Sequence, residues 1–119
     1  MSKKKVLVGV TDLFFVAKIR AASKQAEVDL TLATSTDALL AGARSGAELV
    51  VLDLNDNTID SIEVIRRLSG EPETASVPLV SFFSHVQADL GRRARIAGCE
   101  RVLPRSQFSA ELVDLLRGG

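Results

Sequence analysis

The sequence predicts an α/β fold, a (βα)5 three-layer sandwich with helices on both faces of a five-stranded parallel sheet. Three observations carry this expectation. Short apolar runs of strand length alternate with amphipathic stretches of helical period five times along the chain. The segments joining them are short and polar, which suits right-handed crossovers between parallel strands. The chain has 119 residues, 46% hydrophobic and 25% charged, the size and composition of one domain with one buried sheet. A single domain over 1–119 is expected.

The first strand is residues 6–10, a β-branched run apolar enough to be buried on both faces. Thr11 or Asp12 caps the helix over 13–25, where Phe15, Val16, Ile19 and Ala22 recur at inward spacing. Residues 28–33 alternate apolar with polar side chains, as in a strand near an edge. Ser35 or Thr36 caps a helix reaching Arg44, and Gly46 helps to end it. Residues 49–54 form the most hydrophobic strand candidate, yet Asp53 lies near its C-terminal end. A polar loop leads to a helix over 61–68, with Ile62, Ile65 and Leu68 facing inward. Pro78 forces Val77 into extended geometry and opens a fourth strand, 79–83. A helix over 87–97 stops at Gly98, a strand over 101–103 is closed by Pro104, and a last helix over 109–117 has Ser109 as its expected N-cap.

Fifteen basic residues balance fifteen acidic ones, so no global field draws the chain to nucleic acid or to an anionic membrane. Cys99 and His85 are the only residues of their types, too few for an internal disulfide or a zinc site of soft ligands. The basic start is followed by too short an apolar stretch for an export signal, and no run approaches the roughly 20 apolar residues of a membrane span. A reducing, cytoplasmic location is expected.

In sheets of strand order 2-1-3-4-5, ligands bind beyond the C-terminal strand ends, where the order reverses between strands one and three. Thr11, Asp12, Asp53, Asn55, Asp56, the 83–85 segment, Pro104 and Arg105 should converge there. In the stretches KKVLVGVTD, AELVVLDLNDNTIDSIEVIRRL, VPLVSFFSH and AGCERVLPRSQFSAELVDLLR the chain resembles the receiver domain of bacterial two-component response regulators. The resemblance spans nearly the whole length and implies the flavodoxin-like, CheY-like fold. It places Asp53, in VVLDLN, at the phosphoacceptor position, and implies a Mg2+ ion held by oxygen ligands, with Asp12, Asp53 and Asn55 as the candidates here.

The pattern also departs from that family. Its adjacent acids after strand one align with Val10 and Thr11, leaving Asp12 one position late. Its hydroxyl after strand four aligns with Phe83, and Ser84 follows one residue later, where a side chain points to the other face. Its Lys-Pro pair aligns with Arg105 and Ser106, a planar fork in place of a compact ammonium, and its aromatic switch residue aligns with Val102. The expectation is a degenerate site, a pseudo-receiver without a cofactor, in which Phe83 fills the space for a phosphoryl group and desolvates the carboxylate. Asp12 reads equally as a helix N-terminal acid.

The acidic loop after Asp53 lacks the central Gly and terminal Glu of a calcium loop, and His85 reads as a polar loop residue. Phe14, Phe15, Phe82, Phe83 and Phe108 read as core, and Cys99 as a small buried residue. Arg92, Arg93, Arg95 and Arg101 form a basic stretch whose plain reading is a solvated face. The resemblance implies that the face of helix four, strand five and helix five binds a partner protein, such as a histidine kinase or another signalling protein. The functional expectation is a stand-alone, non-enzymatic signalling module of two-component phosphorelays, acting by protein contacts without phosphorylation and with no output segment after Arg117. Two alternatives are a phosphoaccepting receiver using Asp53 with Mg2+, and a flavodoxin-like binder of a small anion.

Overall fold

The computed structural model describes residues 3–118, the side chain of His85 apart. Strands and helices alternate as β1 (Lys5–Gly9), α1 (Leu13–Ala26), β2 (Asp29–Leu32), α2 (Thr36–Arg44), β3 (Leu49–Asp53), α3 (Ser61–Gly70), β4 (Leu79–Phe83), α4 (Ala88–Ala97), β5 (Arg101–Pro104) and α5 (Arg105–Arg117). All strands are parallel, in the order β2-β1-β3-β4-β5. The central strands β3 and β4 are buried at every residue, whereas the edge strand β2 alternates exposed and half-buried positions, as its sequence pattern requires.

Because successive strand side chains point to opposite faces, the sheet has two cores. Against α1 and α5, Val6, Val8, Val51 and Val80 pack under the rings of Phe15, Phe82 and Phe108. Phe82 stacks on both other rings, at centroid distances of 4.9 Å to Phe15 and 4.3 Å to Phe108. Such pairs add about 0.5–1.5 kcal/mol each beyond the area they bury. The opposite core is aliphatic, with Leu39, Leu52, Ile65 and Leu68 from α2, β3 and α3, and Phe83 as its ring. Gly91 admits that ring under α4: a Cβ there would stand 2.9 Å from it.

Three sequence expectations are corrected. Helix α5 begins at Arg105, directly after Pro104, and Ser109 lies inside it. No side chain caps this end; proline's fixed φ suits a helix start, and Phe108, 0% exposed, anchors the first turn in the aromatic stack. Phe14 is 85% exposed, because α1 turns Phe15, Val16, Ile19, Ala22 and Ala26 inward and leaves Phe14 on the outer face. Residues 85–87 make a separate 3-10 turn before α4, so that helix starts one residue later than its apolar pattern suggests. Cys99 is buried as expected, its thiol donating to the carbonyl of Arg101 at 3.3 Å, and burial raises its pKa. Among the described residues no helix is long and apolar enough to cross a membrane.

Candidate functional site

The C-terminal ends of β1, β3, β4 and β5 bring the expected residues into one neighbourhood, and Thr11, Asp12, Asn55 and Asp56 already hold structural hydrogen bonds there. Asp53 ends β3 opposite Phe82 of β4 and is only 3% exposed. Its carboxylate accepts one hydrogen bond among the described residues, from the Asn55 amide at 2.9 Å, and its backbone carbonyl accepts the Ser61 hydroxyl at 2.7 Å. Burial is the main reason that its carboxyl titrates above the ordinary carboxylate range. The Asn55 amide and the charge of Arg105 pull it down, while Asp56 and Asp12 add to the rise.

Asp56 holds the turn after β3 to the end of β1. The Thr11 amide and hydroxyl donate to its Oδ2 at 2.9 and 2.6 Å, and the amides of Thr58 and Ile59 donate to its Oδ1 at 2.8 and 3.0 Å. Burial alone would raise this carboxyl, but the four hydrogen bonds outweigh it and hold the carboxyl below the usual range. Thr11, at the position where the resemblance calls for an acid, is thus a donor to an acid. The hinting signal is the Asp-Asn-Thr-Ile stretch, since Asp bonds the backbone two and three residues on in tight turns. Its link to Thr11 is 45 residues away in sequence and has no local signature.

Asp12 is exposed and caps α1, its Oδ1 accepting the amides of Phe14 at 2.9 Å and Phe15 at 3.3 Å. Asn55 bridges two loops: its side-chain oxygen accepts the Ser84 amide at 2.8 Å, and its side-chain nitrogen donates to Gln87. Ser84 enters this network through its backbone. Phe83 does fill space, but the space its ring fills lies beneath Gly91 of α4. The side chain of His85 lies outside the described residues.

Arg105 lies over the Phe15 ring, its guanidinium carbon 4.9 Å from the centroid. Arg92, Arg93, Arg95 and Arg101 are exposed, as the desolvation cost of burying several charges requires. Arg92 pairs with Asp89, and Arg95 donates to the carbonyl of Val102 at 3.2 Å. Val102 is buried in the aliphatic core, where a small side chain has no inward and outward swing to make.

The donor set does not fit Mg2+, which demands near-octahedral oxygen coordination. Asp12 spends one oxygen on capping its helix, both oxygens of Asp56 already accept hydrogen bonds from amides and a hydroxyl, and burial raises the pKa of Asp53. Among the described residues no group of three or more His, Cys, Asp or Glu side chains is placed to hold a metal.

No protein-family model matches this sequence, and no curated protein matches it. Solved structures do. The receiver domain of a sensor histidine kinase from Pseudomonas aeruginosa PAO1, with a magnesium ion in its active-site cleft, superposes with a TM-score of 0.83 at 15% identity, covering 99% of this chain and 97% of that one. A response regulator from Hahella chejuensis gives 0.82 at 19% identity, over 95% and 92% of the two chains. The chemotaxis response regulator CheY4 of Vibrio cholerae gives 0.79 at 12% identity, over 97% and 99%. Over nearly its full length, with the strand order and helix placement described above, this chain has the fold of the response-regulator receiver domain.

Proposed function

We propose that this chain is a two-component signalling module whose output runs through protein contacts and does not require phosphorylation of Asp53. One observation carries the proposal: at three positions where the resemblance calls for groups of the phosphoryl chemistry, or next to them, the side chain present already performs a structural task. Thr11 donates to Asp56, Asp12 caps α1, and the Phe83 ring packs beneath α4. A carboxylate nucleophile assisted by a divalent cation needs an ionised acid and open oxygen ligands. Asp53 has a raised pKa, and its neighbours are hydrogen-bonded elsewhere. The chain acts as one domain and not as an enzyme, and the cytoplasmic location read from the sequence accompanies that role.

The partner is a histidine kinase or another signalling protein with an acidic surface, docking on the face of α4, β5 and α5, where Arg92, Arg93, Arg95 and Arg101 are exposed. Long-range attraction to this face speeds association and is screened beyond about 8 Å at physiological salt. The deciding experiment is incubation with Mg2+ and a small-molecule phosphodonor, followed by intact mass. The expected result is no phosphoryl adduct. A stoichiometric adduct absent from Asp53→Ala overturns the proposal and establishes a phosphoaccepting receiver.

A further inference from the structure

We propose that the cleft between α1 and the start of α5 is a non-covalent binding site for a small phosphate-type oxyanion. The cleft has a volume of about 590 Å³ and is lined by Phe15, Lys18, Ser84, Arg105, Ser106 and Ser109, with Asp53 not among its walls. This goes beyond the signalling role proposed above and does not depend on it.

Two positive charges converge here with no carboxylate among the cleft walls, although Asp53 beyond them feels the charge of Arg105. Lys18 Nζ lies 5.3 Å from the Phe15 centroid and the Arg105 guanidinium carbon lies 4.9 Å from the same centroid. Among the described residues, the ion pairs within 4.0 Å involve neither cation. Elsewhere the exposed arginines 44, 66, 67 and 92 find carboxylates. The second observation is the Arg105 Nε, which is buried and has no hydrogen-bond partner among the described residues. A buried donor left unpaired carries an uncompensated desolvation cost, and an acceptor arriving in the cleft relieves it.

The remaining features select the anion. Helix α5 begins at the cleft with no side-chain cap, so its first-turn amides and the positive end of its dipole face incoming negative charge. Three serine side chains line the same space and supply hydroxyl donors. Two cations, several donors from different directions and a helix start suit a tetrahedral dianion better than a planar carboxylate, which one guanidinium satisfies alone. The ring of Phe15 makes one side of the cleft apolar.

The test is titration of the 15N-labelled protein with inorganic phosphate, read by amide shifts, with acetate at matched ionic strength as the comparison. The expected result is saturable shifts at Ser106, Gln107 and Lys18 with phosphate, and weaker ones with acetate. Lys18→Gln and Arg105→Gln should each weaken phosphate binding about tenfold, the loss of one charged hydrogen bond. Asp53→Asn should retain binding, which separates this site from the strand-end carboxylate, and melting curves should show both cleft variants folded. Shifts that do not saturate, that map away from the cleft, or that survive in both cleft variants overturn the proposal. Phosphorylation of Asp53, should the phosphodonor experiment reveal it, leaves this titration unaffected as a test.

Discussion

Asp53 and Asp56 stand three residues apart at the end of β3 and in the turn that follows, and the fold treats them in opposite ways. Asp53 is pressed into the sheet with a single amide on its carboxylate, and burial drives its pKa up. Asp56, in the half-buried turn, gathers four hydrogen bonds from two segments and is held down as a carboxylate. Both acids lose water, so desolvation does not distinguish them; the number of donors aimed at the charge does. The acid that the resemblance singles out for chemistry is buried with its pKa raised, and its neighbour is a structural clamp between β1 and the turn after β3.

The largest effect should come from breaking the clamp. Asp56→Ala leaves the Thr11, Thr58 and Ile59 donors without their acceptor and should cost about 2–3 kcal/mol at neutral pH, read as a lowered urea midpoint. The depressed pKa of Asp56 means that its contribution is present above the ordinary carboxylate value and lost as pH falls through the folded one. The difference between native and Asp56→Ala should therefore narrow on acidification. A difference independent of pH would show that the loop, not the charge, sets the stability.

A second substitution turns the clamp into a repulsive pair. Thr11→Asp removes the hydroxyl now 2.6 Å from Asp56 and puts a like charge beside it, costing about 1–2 kcal/mol without a divalent cation. Mg2+ should restore much of that loss and should bind the variant more tightly than the native protein in calorimetric titration. Equal Mg2+ affinity for both proteins would show that the native donor set already suits the ion.

The smallest change concerns Asp53 itself. Its folded pKa lies above the unfolded one, so the native state holds its proton more tightly and stability falls as pH rises through the folded value. Asp53→Asn keeps the acceptor for the Asn55 amide and removes the charge, and should raise stability at neutral pH. The gain should vanish below the ordinary carboxylate range, where the native carboxyl is also neutral. A variant less stable than native at pH 7 would place the ionised carboxylate in a favourable field and undo the contrast between the two acids.

The alternation of apolar runs with amphipathic stretches was sufficient for the elements and the layers, because burial on one or two faces writes its period directly into the chain, whereas the strand order and the neighbourhood of the site went with the receiver-like fold that the chain resembles. Even the fully buried β3 with an acid at its end was legible, as was the solvated face of α4. Local rules failed where distant partners decided. The start of α5 follows from Phe108 locking onto Phe82, a contact between segments 26 residues apart, and no capping residue announces it. Whether Thr11 or Asp12 capped α1 was open in the sequence, and the structure assigns the cap to Asp12 because Thr11 is drawn to Asp56 across the strand ends. Lys18 and Arg105 likewise read as two ordinary surface cations until α1 and α5 pack side by side and bring both against one ring. Periodicity is a property of neighbours along the chain, whereas a carboxylate's charge state and a cleft's chemistry depend on which donors the packed helices and strands carry into range.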